Sequence, residues 1–334
     1  MISRRAFIAG VLTAASLPTM AQQARKKEIP RIGVLWHGRD EEDEAIYLGA
    51  LKRGLRDVGY VDGQNIRLEN RFADEQYERF NSQAVELARL NVNVIVAVTP
   101  PAALAAKRAT TTIPVVFVLI PDPVRMKLVD TLSRPGGNVT GLSQMMHELQ
   151  GKRLQLLKEC VPTLKRVALM VNPANGDVHR LYVEETQAAQ AVLGVTSQAI
   201  ELDTREGIER VFTTITRARF DGVIFFSDGL FYSERRRIAK LLLDRRLPSM
   251  WFSKETAEPF GALMSYGPDL QSIFHRAGYY LDRILKGSKP ADLPVEFPTK
   301  YPIVLNLKTA RALNVTFPPS ATLRAEESLD STTN

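Results

Sequence analysis

The chain has 334 residues, 45% hydrophobic and 24% charged, the mixture of a globular protein rather than a disordered or fibrous one. At roughly 100–200 residues per domain there is room for two domains, each with its own core. No uninterrupted apolar run reaches the roughly 18 residues of a membrane span. A single cysteine, Cys160, excludes an internal disulfide framework and a cysteine-based zinc cluster, and the 4 scattered histidines give no His-x-x-x-His spacing. The net charge of +7 raises the question of nucleic acid as a partner.

The N-terminus answers part of that question. Arg4 and Arg5 precede an apolar stretch from Ala6 to Leu17, and Pro18-Thr19-Met20-Ala21 offers small residues where a signal peptidase cuts. Charged region, short apolar region and small-residue site together predict an export signal over residues 1–21 rather than a membrane span. Ser3-Arg4-Arg5-Ala6-Phe7-Ile8 also resembles the twin-arginine signal. An exported protein meets little genomic DNA, so its positive charge reads as solubility or surface steering. The expected location is the periplasm.

From Pro30 the chain alternates short apolar runs with amphipathic segments. The pattern predicts strand Arg31–Trp36, helix Glu41–Val58, strand Asn65–Phe72, helix Gln76–Leu90, strand Val92–Val98, a short alanine-rich helix Ala102–Ala109 and strand Pro114–Leu119. A turn-rich crossing at Arg134–Asn138 and helix Gln150–Cys160 follow. The grammar restarts with strand Arg166–Val171, helix Val178–Leu193, strand Thr196–Leu202, helix Glu206–Ala218, strand Gly222–Phe226, helix Tyr232–Arg245 and strand Ser249–Phe252. Leu263–Tyr266 and helix Leu270–Leu285 cross back to the first half. Strands apolar throughout, separated by amphipathic helices, imply parallel sheets covered on both faces. The expected division is a first lobe of residues 30–142 plus about 267–293, a second of 143–266 plus about 294–325, and a flexible tail, 326–334.

Enzyme signatures are missing. No Gly-x-Gly-x-x-Gly follows a strand, no phosphate-binding Gly-x-x-x-x-Gly-Lys-Ser/Thr occurs, and there is no Gly-x-Ser-x-Gly elbow. Cys160, at the end of an amphipathic helix, reads as a small buried hydrophobe. Asp40-Glu41-Glu42-Asp43-Glu44 reads as a solvated helix start, and Arg235-Arg236-Arg237 as a solvated helix face. No cofactor, metal or catalytic residue is expected.

Open parallel sheets bind ligands beyond the carboxyl ends of their strands. Those ends supply Trp36, Thr99, Pro101, Asp122, Asn172, Asn175, Ser227 and Asp228, a set suited to a small polar or zwitterionic ligand. Pro101 opens a helix where a proline loses no hydrogen bond. Asp122 and Asp228 either pair with an ammonium group or cap helices. Trp36 either stacks on a ligand or fills the core, and Asn172 and Asn175 either contact ligand or cap turns. Tyr266 is the candidate from the crossover segment, where a half-buried strand tyrosine is equally ordinary.

Several phrases then converge. Gly59-Tyr60-Val61-Asp62-Gly63-Gln64-Asn65-Ile66, Ala102-Ala103-Leu104-Ala105-Ala106-Lys107 with Thr110-Thr111-Thr112-Ile113-Pro114, and Arg134-Pro135-Gly136-Gly137-Asn138-Val139-Thr140-Gly141 come first. Asn172-Pro173-Ala174-Asn175, Leu263-Met264-Ser265-Tyr266-Gly267, Lys286-Gly287-Ser288-Lys289-Pro290-Ala291-Asp292-Leu293-Pro294 and Asn306-Leu307-Lys308-Thr309-Ala310 follow in order. In these the chain, from about Ile32 to Pro319, resembles the periplasmic substrate-binding proteins of ABC transporters, in the branch that holds tryptophan- and tyrosine-binding proteins.

The resemblance implies a type I periplasmic-binding fold: two α/β lobes, each a parallel sheet flanked by helices, three crossovers and a ligand closed between them. It also implies no catalysis, a small-molecule ligand such as an amino acid or related carboxylate, transient docking to a membrane permease, and no nucleic acid; such a receptor works as a monomer. One departure stands out. Where the family usually carries Gly-Ser/Thr-Pro before the alanine helix, this chain has Thr99-Pro100-Pro101, so the hydroxyl expected next to the helix is either displaced to Thr99 or lost. The rival reading of the same fold is a periplasmic sensory receptor reporting to a membrane kinase or chemoreceptor.

Overall fold

The computed structural model describes residues 29–257 and 261–329; residues 1–21, where the sequence predicts an export signal, lie outside them. The first lobe runs β1 (Arg31–Trp36), α1 (Ala45–Asp57), β2 (Arg67–Phe72), α2 (Tyr77–Arg89), β3 (Val94–Val98), α3 (Pro100–Ala109), β4 (Val115–Ile120) and β5 (Val139–Ser143). Its five strands form an all-parallel sheet in the order β2-β1-β3-β4-β5. Every residue of β3, β4 and β5 is buried. That is the two-sided coverage which continuous Val/Ile runs require.

The second lobe opens with α4 (Gln150–Cys160) and continues through β6 (Arg166–Val171), α5 (Gly176–Leu193), β7 (Thr196–Glu201), α6 (Ile208–Arg217), β8 (Gly222–Phe225), α7 (Gly229–Ser233), α8 (Arg235–Asp244), β9 (Ser249–Trp251), α9 (Lys254–Ala257) and β10 (Met264–Tyr266). The chain then returns to the first lobe as α10 (Leu270–Leu285), and back again as β11 (Ile303–Asn306), α11 (Leu307–Leu313), α12 (Pro319–Arg324) and β12 (Glu327–Leu329). The seven-stranded sheet has the order β12-β11-β10-β9-β8-β6-β7, with β10 and β11 antiparallel.

Helix α10 packs on α1 through a glycine pair, the backbone of Gly54 facing Gly278 so closely that a Cβ on either would overlap the other helix. This docking carries Phe274 onto Trp36, with ring centroids 5.6 Å apart. The first crossing is anchored by Arg153, fully buried, which donates to Gln150 Oε1 at 2.8 Å and to the Phe225 carbonyl at 2.7 Å. Burial pulls its guanidinium down to about 9.

Three boundaries differ from those read in the sequence. Val295 donates to the Leu132 carbonyl and Glu296 to that of Gly141, so the return to the second lobe falls after Glu296, not near 293. Glu327–Leu329, assigned to a tail, pairs in parallel with β11. The helix expected over Tyr232–Arg245 starts earlier and breaks at Glu234, because the Asp228 side chain accepts from Leu230 and Phe231 and initiates α7 at Gly229.

Candidate functional site

The carboxyl ends of both sheets face one cleft. Its outer part is an open cavity of about 810 Å³ between the turn after β4 (Asp122 to Lys127) and the start of α5 (Pro173 to Tyr182). An inner cavity of about 40 Å³ continues it toward the crossings. The two share Pro100, Pro101, Pro121, Asn175 and Val178, so they form one continuous space.

Thr99, Pro101, Asn175, Ser227 and Asp228 all line the inner cavity, and Asp122 lines the outer one. Asp228 is the most constrained of them. Its Oδ1 accepts from Leu230 N and Asn172 Nδ2, and its Oδ2 from Asn175 Nδ2 at 2.7 Å. It is therefore both a helix cap and a carboxylate fixed by two amides. Asn172 sits behind it, its own Oδ1 taken by Ala174 N, and acts as a support rather than a contact. Ser227 Oγ donates to Gln144 Oε1 at 3.1 Å, a bond from the second lobe to the first crossing. Asp122 caps the following turn through Arg125 N.

Besides Asn172, which lines neither cavity, two candidates leave the set. Trp36 is fully buried, stacked on Phe274, with its indole N–H donating to Asn70 Oδ1 at 3.0 Å. It is core, and α10 is what covers it. Tyr266 sits on β10 in the second sheet and lines neither cavity.

Thr99 holds the backbone at φ 77° and ψ 163°, a region that is essentially reserved for glycine. The strain sits at the mouth of α3, whose first two positions are both proline.

A buried ionic cluster on the first-lobe side is marked as a cluster by no local signal in the sequence. His37 Nδ1 lies 2.8 Å from Glu75 Oε1, and its Nε2 lies 3.4 Å from Glu44 Oε1. Burial alone would lower the imidazole. The charge of Glu44, the hydrogen bond and charge of Glu75 and the charge of Asp43 override it and raise His37 to about 9. Burial also holds the Glu44 and Glu75 carboxyls above the ordinary range, against the pull of the imidazolium. Glu44 was expected on a solvated helix start. Instead it turns inward and accepts from Gly38 N at 2.7 Å. Arg235 likewise is buried rather than solvated, with its guanidinium 4.0 Å from the Tyr232 ring centroid. The available signal was His37, next to the strand end, followed by isolated acids whose convergence only the fold reveals.

The lobes touch across the inner cavity. Tyr47 and Tyr232 pack with centroids 5.3 Å apart, Arg205 Nη2 reaches Asp74 Oδ1 at 2.8 Å, and Glu75 lies against Gly229. Asp74 and Glu75 both have positive φ, 51° and 57°, which turns the loop after β2 toward the second lobe. Cys160 is buried and its thiol is pushed up to about 12 by burial, the behaviour of a packed hydrophobe. Among the described residues no group of His, Cys, Asp and Glu is arranged to hold a metal ion, and no helix is long and apolar enough to cross a membrane.

Two α/β lobes joined by three crossings, with polar strand ends converging on the cleft between them, define a ligand-binding protein of the type I periplasmic-binding fold. Residues 40–329 match the family model "ABC transporter substrate binding protein", and the chain belongs to that family. It is 27% identical over 265 residues to the tyrosine-binding protein of Clostridioides difficile (strain R20291), covering 79% of this chain and 75% of that one. Among solved structures it resembles a conserved domain protein from Vibrio cholerae, with TM-score 0.83, 25% identity, and coverage of 90% of this chain and 100% of that one. It also resembles an ABC domain from Streptococcus pneumoniae in complex with L-Trp, with TM-score 0.81, 26% identity, and coverage of 90% and 99%.

Proposed function

We propose that the protein is an exported, non-catalytic receptor that captures a small amino-acid-like solute between its lobes and presents it to an ABC permease. The observation that carries this reading is the facing of fixed polar groups from both lobes across one cavity: Glu75 and Thr99 from the first, Asn175, Ser227 and Asp228 from the second. Asp228 offers a carboxylate already oriented by two asparagine amides, the partner an ammonium group needs. A ligand bridging the lobes gains contacts only when they are closed, and this differential affinity shifts the open–closed equilibrium toward the closed receptor. The relatives named for tyrosine and found with L-Trp support an amino-acid-like ligand. Residues 1–21 supply the export signal, the periplasm is the site of action, and the receptor docks to its permease as a monomer.

The test is thermal unfolding, with parallel X-ray scattering, against amino acids and other small carboxylates. A ligand at about a hundred times its dissociation constant adds roughly 2.7 kcal/mol and raises Tm. A library that moves neither Tm nor radius of gyration defeats the proposal.

A further inference from the structure

The cleft is electrically polarised along its length. Its inner cavity is lined by two carboxylates, Glu75 and Asp228, against one basic group, His37, which is already held between Glu44 and Glu75. Its outer cavity carries Arg125, Lys127 and Arg180 against Asp122 and Asp177. Arg180 is paired with Asp177 at 3.0 Å, and Asp122 keeps its charge while capping Arg125 N, so three cations face two carboxylates and the outer wall is net positive. The Arg125 and Lys127 side chains have no ion-pair partner among the described residues and remain as positive charge on the outer wall. Between the two ends the shared walls are Pro100, Pro101, Pro121 and Val178, which offer apolar surface and no N–H from the prolines, together with Asn175, whose amide is turned to Asp228.

The same prolines remove backbone donors from the junction. The start of a helix ordinarily presents several free N–H groups to an anion. In α3 the first two positions are Pro100 and Pro101, so of the first three only Ala102 carries an N–H. Asp228 lines the same inner cavity as Pro100 and Pro101, so an α-carboxylate held close to an ammonium at Asp228 shares that cavity with a helix end poor in donors.

Building on the receptor reading, we propose that the ligand is a zwitterion whose charges are separated by a spacer of several carbons. Its ammonium sits at Glu75 and Asp228, its methylenes lie along the proline walls, and its anionic group meets Arg125 and Lys127. An ω-amino acid has this form; an α-amino acid does not.

Calorimetric titration of the full chain tests the assignment with glycine, 4-aminobutanoate, 6-aminohexanoate, L-Trp, L-Tyr and n-butylamine. At least one ω-amino acid is expected to bind tenfold or more tighter than glycine, L-Trp and L-Tyr. The same compound is expected to lose tenfold or more in the double variant Arg125→Gln, Lys127→Gln. These side chains lie on the exposed outer wall, and n-butylamine, lacking the anion, reads whether the inner end is intact because its binding should be unchanged in that variant. L-Trp, L-Tyr or glycine binding as tightly as every ω-amino acid overturns the spacer and leaves the receptor standing. Equal loss of n-butylamine in the double variant also overturns it, since the outer cations would then not be reading an anion. Failure of all six compounds overturns the spacer, and the broader library above then decides the receptor.

Discussion

The Glu75 carboxylate of the first lobe rests on the backbone of Gly229 in the second, so closely that a methyl group at 229 would overlap Oε1. Glu75 cannot simply swing aside, because the same oxygen is held 2.8 Å from His37 Nδ1. Nothing in the Gly229 backbone itself demands glycine; it opens α7 with no positive φ. Gly229→Ala is therefore expected to leave each lobe folded while obstructing closure. Ligand affinity should fall at least tenfold, about 1.4 kcal/mol, with circular dichroism unchanged and a larger radius of gyration in the presence of ligand. Unaltered affinity would mean that the contact plays no part in closing.

The cluster beneath this contact sets a pH dependence. His37 titrates near 9 in the folded protein, above its ordinary 6.5, so the folded state holds its proton more tightly than the unfolded chain. That stabilisation is complete below about 6.5 and is lost as pH rises through about 9. Glu44 and Glu75, also raised, act in the same direction at lower pH, their contribution lost as pH rises through their elevated values. The His37 part is on the order of 3 kcal/mol. Urea unfolding at pH 6 and pH 9.5 should show stability falling with pH, and His37→Gln should flatten most of the fall above pH 6.5. The same slope in both proteins would remove His37 as its source, leaving Glu44, Glu75 and Tyr232, whose own values burial raises, as the groups around it.

How much of this was legible in the sequence follows from what each signal depends on. The alternation of β-branched runs with amphipathic helices is local, and it located β1, β3, β4, β6 and β8 and the helices between them. β5, Val139–Ser143, has a glycine and two hydroxyl residues in five positions and gives no apolar run. It is recognisable as a strand only through its pairing with β4, where Gly141 allows the approach of the Phe117 carbonyl. Thr99, Pro101, Asp122, Asn175, Ser227 and Asp228 were readable because strand ends in parallel sheets point to one edge. His37, Glu75 and Tyr232 converge from three distant segments, and no local pattern marks that. The inward turn of Glu44 was hidden for the same reason: four neighbouring acids made it look like one more solvated charge.

Thr99 gives a prediction opposite to the usual effect of introducing glycine. A β-branched residue at φ 77° and ψ 163° carries strain of about 1–3 kcal/mol. Glycine relieves that strain, at an entropic cost of roughly 0.5–1 kcal/mol in the unfolded chain. Thr99→Gly should therefore raise stability by about 1 kcal/mol, and Thr99→Ala, which keeps a Cβ in the same conformation, should not. Chemical denaturation of the three proteins decides it. A Thr99→Gly protein less stable than the parent would show that the hydroxyl contributes more to the fold than its backbone costs.

Trp36 separates core from cleft most directly. It stands at the strand end beside His37, where a sequence argument puts a ligand contact, yet it is fully buried and stacked on Phe274, a residue brought there by the Gly54–Gly278 helix crossing. Replacing it by phenylalanine keeps an aromatic face but removes one ring and leaves Asn70 Oδ1 without the indole donor. The smaller ring opens a cavity and the lost hydrogen bond exposes an unsatisfied acceptor, together costing about 2–3 kcal/mol. Because neither cavity is lined by Trp36, the dissociation constant of a bound ligand should change by less than about threefold, well under 1 kcal/mol. Denaturation and titration on the same preparation measure both quantities. A variant that keeps its stability but loses ligand would return Trp36 to the binding surface and require the α1–α10 pair to open in solution.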